Sequence, residues 1–153
     1  MARAGPRSDS HRVTRHAAAP LASPQDRPVA VKRLKAHLME LDETTLAEFQ
    51  SEVAFLRMLR HRNIVFFFGA GQAESDGVPF LVTEYMQRGA LSGILYDTSI
   101  ELDWPRRTSF AIDAARGLAF LHSQDPPRIH RDVKSANFLV TDAWVVKVAD
   151  FGT

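Results

Sequence analysis

The chain predicts an α+β fold of two unequal lobes, and three observations carry that expectation. Short runs rich in β-branched and aromatic residues at 29–34, 64–69 and 80–85 surround a single stretch of helical periodicity. Beyond residue 86 the pattern becomes mainly helical and closes in two short apolar runs separated by a turn. Between the regimes lies Met86-Gln87-Arg88-Gly89, a polar link. A small β-sheet-plus-helix N-lobe should therefore precede a mainly helical C-lobe.

Each element has its own warrant. Val29–Leu34 is a short strand, followed by a polar connection over His37–Thr45. Leu46, Phe49, Val53, Leu56 and Leu59 recur at helical spacing, so a helix is expected over Leu46–Arg60, capped by Asp42, Thr44 or Thr45. Ile64–Gly69 and Phe80–Tyr85 read as strands joined by turn chemistry from Gln72 to Pro79. Leu91–Tyr96 is a short helix. Asp103-Trp-Pro opens a longer one, because Asp accepts hydrogen bonds from the first-turn amides and Pro is tolerated where those amides lack partners. That helix should run from Trp104 to about His122, with Ala111, Ala114, Ala115, Leu118 and Leu121 on one face. Pro126-Pro127 ends it. Phe138–Val140 and Val145–Val148 flank Thr141-Asp142-Ala143 as a hairpin.

Composition narrows the function classes. The 153 residues suit one domain with one core. The formal net charge of +1 gives no global field for nucleic acid or an anionic membrane, so no nucleic-acid partner is expected. There is no cysteine, which excludes disulfides and thiolate metal sites. The histidines at 11, 16, 37, 61 and 122 show no ligand spacing. No run approaches the ~18 apolar residues of a membrane span. No signal peptide is evident, and a cytoplasmic setting is the expectation. Residues 1–28 are rich in Ala, Ser, Pro and Arg, which reads as a disordered tail; the alternative, an Arg-rich targeting peptide, lacks an apolar helical face.

The strongest motif set lies in the last quarter. Ile129-His-Arg-Asp-Val-Lys-Ser-Ala-Asn137 is followed by Asp150-Phe-Gly152, with Asn137 five residues after Asp132 and Asp150 thirteen after Asn137. With Val29-Ala-Val-Lys32 upstream, and Glu52 twenty residues after that lysine, the chain from 29 to 153 resembles a eukaryotic protein kinase domain. Lys134-Ser-Ala-Asn137 is similar to the serine/threonine type, and Glu84-Tyr85-Met86 and Gly89-Ala-Leu91 to the tyrosine-kinase-like group. The resemblance divides the chain into an N-lobe remnant at 29–86 and the start of a C-lobe at 87–153.

The resemblance implies a division of labour. Phosphoryl transfer requires held phosphates, neutralised charge and a positioned hydroxyl. Lys32 would hold the ATP phosphates and Glu52 would pair with it. Asp132 would orient the substrate hydroxyl and accept its proton. Lys134 would neutralise the transferring group, while Asn137 and Asp150 would bind Mg²⁺ through oxygen. Ala30 and Leu139 would sandwich adenine above Leu91, Glu84 and Met86 would offer it backbone groups, and Thr83 would stand beside it as gatekeeper. Leu56, Phe67, His130 and Phe151 would stack as a spine, and Arg131 would await a phosphorylated segment. A protein substrate follows; the oligomeric state does not.

Departures from the family pattern shape the expectation for this chain. No G-x-G-x-x-G pattern is found in residues 1–28, Arg62 stands where proline is common, and the sequence stops at Thr153, just past Asp150-Phe-Gly152. Relative to the family the domain reads as truncated at both ends. The expectation is therefore an ATP-dependent serine/threonine kinase by family, inactive as this fragment. The alternatives are a nucleotide- or partner-binding pseudokinase-like module and a non-functional truncation.

Overall fold

The computed structural model describes residues 28–33 and 43–150. The disordered tail expected over 1–28 lies outside these residues, Pro28 excepted, as do residues 37–42 of the expected polar connection, with its candidate cap Asp42, and Phe151; Glu43, Thr44 and Thr45, expected in that connection, are helical. The architecture is the expected α+β arrangement of two lobes.

The N-lobe sheet contains β1 (Val29–Arg33), β2 (Phe67–Gln72) and β3 (Pro79–Glu84), ordered β1-β3-β2 and antiparallel throughout. β3 is central: Ala30 faces Thr83 and Lys32 faces Leu81 on one side, while Ala70 faces Leu81 on the other. The helix α1 spans Glu43–Met58. It begins three residues earlier than its apolar periodicity suggests. Thr44 and Thr45 therefore lie within it and cannot be its cap. Val53 and Leu56 turn into the core, joined by Leu59 just beyond the helix end.

The second strand departs from expectation in a way that matters. The apolar run Ile64–Gly69 is divided between the lobes. Ile64 forms a parallel bridge with Val148 of the C-lobe, and β2 starts only at Phe67. A bulge between Phe67 and Gly69 absorbs the change of direction.

The C-lobe begins with a two-residue strand, β4 (Gly89–Ala90), which no periodicity reveals at that length. Gly89 adopts φ 69°, a left-handed conformation natural to glycine. α2 (Leu91–Tyr96) follows, then α3 (Trp104–His122), whose Asp103 cap accepts the Arg106 amide at 2.9 Å. β5 (Phe138–Val140) and β6 (Val146–Val148) complete a sheet ordered β4-β5-β6.

α3 buries a face rotated from the expected stripe: Leu121 is buried and Ala114 and Leu118 pack against the core as expected, but the centre of the buried face lies elsewhere. Phe110, Asp113, Gly117 and Leu121 turn inward, while Ala111 and Ala115 are exposed. Two contacts select this face. The buried Asp113 carboxylate accepts the Val146 amide at 3.1 Å. Gly117 lies so close to β6 that a Cβ there would stand 2.4 Å from Val148 Cγ2 and 2.5 Å from the Asn63 carbonyl oxygen. Apolar periodicity weighs neither a buried carboxylate nor a missing side chain. Val140, Val146, Val148 and Leu121 are all completely buried here.

Candidate active site

The stretch before β5 is shaped by a buried histidine. His130 Nε2 lies 3.0 Å from the Ala149 carbonyl oxygen, and His130 Nδ1 accepts the Asp132 amide at 3.3 Å. A carbonyl on one nitrogen and an amide on the other assign the proton to Nε2. His130 thereby ties the loop holding Asp132 to the segment holding Asp150. Arg131 between them takes φ 63°, left-handed for a residue with a side chain.

A 3₁₀ turn over Ser135–Asn137 then brings Asn137 back onto Asp132. Asn137 Nδ2 donates to the Asp132 carbonyl at 2.8 Å and to Asp132 Oδ2 at 2.9 Å. Lys134 Nζ lies 2.6 Å from the same carboxylate oxygen. These two donors, Lys134 first and Asn137 second, hold the Asp132 carboxyl below its ordinary pKa. Its side chain is 58% exposed, so an ionised carboxylate is presented to the cleft.

Asn137 is tied to the residue before Asp150: the Ala149 amide donates to the Asn137 carbonyl at 2.9 Å. Asp150 takes φ 52°, also left-handed. Because both amide protons of Asn137 are directed at Asp132, its side-chain oxygen is left as the group for a cation. An amide oxygen and a carboxylate suit a hard divalent ion that takes its remaining ligands from phosphates and water. No cluster of three or more His, Cys, Asp or Glu suited to a metal occurs among the described residues.

From the N-lobe, Lys32 Nζ reaches Asp150 Oδ1 at 2.6 Å. This corrects the expected Lys32–Glu52 pair: the lysine is engaged by the C-lobe aspartate. Glu52 is nonetheless in the same electrostatic neighbourhood. Burial raises its pKa, Lys32 lowers it and Asp150 raises it again. The helix thus carries Glu52 to the right region, half-buried and within the field of the lysine, while the shorter contact goes to Asp150.

Around the cleft, Ala30 and Thr83 are paired across β1 and β3, Met86 and Leu91 are buried, and Leu139 lies opposite Ala90 and Lys147. Of the expected spine, Leu56, Phe67 and His130 are buried. Three participants escaped sequence reasoning. Asn63 donates through Nδ2 to the Val146 carbonyl at 2.9 Å and accepts the Val148 amide on its own carbonyl at 2.8 Å. Asp113 caps the Val146 amide. Lys147 binds the side chain of Glu84 at 2.6 Å. All three are polar residues within or beside apolar runs, and that placement was the available signal.

Comparison with known proteins agrees with this geometry. A family model described as protein tyrosine and serine/threonine kinase matches residues 11–153. The chain is 49% identical over 124 residues to the probable serine/threonine-protein kinase drkD of Dictyostelium discoideum, covering 81% of this chain and 9% of that protein. It is 45% identical over 124 residues to the probable serine/threonine-protein kinase SIS8 of Arabidopsis thaliana, covering 81% and 12%. Against the serine/threonine-protein kinase CTR1 of the same plant it is 44% identical over 119 residues, covering 75% and 14%. The chain thus spans less than a fifth of the length of these relatives.

Proposed function

This chain belongs to the protein tyrosine and serine/threonine kinase family, and from that premise we propose that it binds ATP with Mg²⁺ and directs the γ-phosphate to serine or threonine hydroxyls of a protein substrate. The observation that carries the reading is the Asp132–Lys134–Asn137 cluster facing the Lys32–Asp150 pair. The relatives' names, all serine/threonine kinases, support the choice of hydroxyl. A cytoplasmic setting is part of this proposal, in keeping with a reaction that draws on ATP. No helix among the described residues is long and apolar enough to cross a membrane.

The residues divide the work. Asp132, ionised and exposed, orients the substrate hydroxyl and takes its proton. Lys134, already beside that carboxylate, lies where it can follow the phosphoryl group and offset its charge. Lys32 binds the non-transferred phosphates. Asn137 and Asp150 would hold the divalent ion, which would supply neutralisation of the phosphate charge. Asn137 also fixes the Asp132 rotamer, so one side chain serves both the base and the ion. Ala30, Thr83, Glu84, Met86 and Leu139 form the adenine site.

The test is phosphate transfer from γ-labelled ATP to serine/threonine and tyrosine peptides. Transfer to the former, reduced at least ~100-fold by Asp132→Asn, is expected once a glycine-rich loop and the rest of the C-lobe are joined to the chain, and little or none from the 153 residues alone. Label incorporation indifferent to Asp132→Asn would overturn the assignment, and transfer confined to tyrosine would overturn the choice of hydroxyl.

A further inference from the structure

Glu84 is the last residue of β3, and strand alternation sends its side chain to the face opposite that of Thr83. There it meets the other lobe. Its Oε1 accepts from Lys147 Nζ at 2.6 Å and from the Phe66 amide at 2.7 Å. In return the Glu84 amide donates to the Phe66 carbonyl at 3.0 Å. The pair is largely shielded, with side-chain exposures of 15% for Lys147 and 25% for Glu84.

Lys147 is well placed to transmit this contact. It lies on β6 directly opposite Leu139, between Val146 and Val148, both completely buried, and three residues before Asp150. A shielded pair of this kind is poor evidence for stability, because desolvation offsets much of the attraction. Its geometric content is greater: one end is the strand that ends at Glu84 and leads directly to Met86, and the other is the partner of the strand that delivers Leu139.

We infer that Glu84 and Lys147 are positioning residues for the nucleotide, their ion pair fixing the spacing between the adenine-edge strand and the Leu139 floor. The inference rests on the proposed ATP site and adds to it a role for the Glu84 side chain and for a lysine outside the catalytic motifs. Neither residue is among those proposed to hold the phosphates or the metal. Its loss should weaken nucleotide binding without altering the chemistry at Asp132.

The experiment is a titration of the protein with a fluorescent ATP analogue, alongside urea unfolding of each variant. Lys147→Met should weaken binding five- to tenfold. Lys147→Arg, which restores a cation, should bind within about twofold of wild type, a recovery that loss of packing alone does not explain. Glu84→Gln keeps an acceptor for the Phe66 amide and removes only the charge; it should resemble Lys147→Met, and decides the matter if Lys147→Met fails to fold. Lys32→Met serves as the control for the site itself. Wild-type affinity in Glu84→Gln, with affinity lost in Lys32→Met, overturns the positioning role and leaves the ATP site standing. Wild type and Lys32→Met alike failing to bind overturns the ATP site, and the positioning role with it.

Discussion

Lys32 Nζ lies 2.6 Å from Asp150 Oδ1, joining residues 118 positions apart across the cleft. Both side chains are substantially exposed, at 48% and 37%, so the pair contributes at most about 1 kcal/mol to stability. Lys32→Met should therefore shift unfolding free energy by no more than ~1 kcal/mol. Nucleotide affinity should nonetheless fall at least ~10-fold, the equivalent of about 1.4 kcal/mol of lost phosphate contact. Urea unfolding and nucleotide titration on the same preparation separate the two effects.

Lys134→Met removes the leading cause of the depressed Asp132 pKa. The carboxyl should move back up toward its ordinary value, a shift visible in a carbon-detected NMR titration. A depressed carboxylate contributes stability that is present above its unfolded pKa and lost as pH falls through the folded one. The variant should lose that contribution at neutral pH, and its acid unfolding should begin at higher pH. Asp132 stays ionised at pH 7 in both proteins, so any fall in phosphate transfer there reports on the phosphoryl group.

Glu52 behaves in the opposite sense. Burial raises its pKa, so in the window between unfolded and folded values the native state binds more protons and stability falls as pH rises. Glu52→Gln should be more stable than wild type at pH 7, with the difference vanishing below about pH 4, where the carboxyl is neutral in both states. Thermal unfolding across pH 3.5–8 measures this. Equal pH dependence in the two proteins would contradict the placement of Glu52 at the buried lobe seam.

Gly117→Ala should destabilise the protein by about 1–3 kcal/mol, because its new methyl group meets Val148 and a backbone carbonyl that cannot rotate away. In an open helix the same change stabilises by up to ~1 kcal/mol. The sign of the shift in urea midpoint is thus diagnostic of close packing between α3 and β6.

Much of this was readable from residue order. Helical spacing found α1 and α3, Asp103 gave the start of α3 to the residue, and the turn at 141–143 gave the hairpin. What escaped was tertiary. Ile64–Phe66 has the composition of a strand, and only the position of β6 decides that Ile64 pairs outside the N-lobe sheet. The buried face of α3 depends on a glycine and an aspartate, which apolar counting ignores. In the site, motif spacing brought Asp132, Lys134 and Asn137 into one cluster. It could not choose between Glu52 and Asp150 as the partner of Lys32, because that depends on distances of a few ångström between elements 118 residues apart in sequence.

The connector at 63–66 has a mechanical consequence. Two bodies joined at a single point keep three rotations; joined along a line they keep one. The covalent link at 85–88 is one crossing between the lobes. The seam in which Val65 donates to Val148, Val148 to Asn63, and Asn63 Nδ2 to Val146 is the other. Phe66 and Glu84, bonded twice, bring the crossings together and define an axis. Glu84 and Lys147 sit on it. Lys32, three residues back along the ladder at Leu81 and one strand over, lies on the order of 10 Å away. A rotation of the lobes about this axis would carry Lys32 through an arc and leave Glu84 nearly at rest, so the proposed nucleotide site would have a fixed jaw at the base and a moving one at the phosphates.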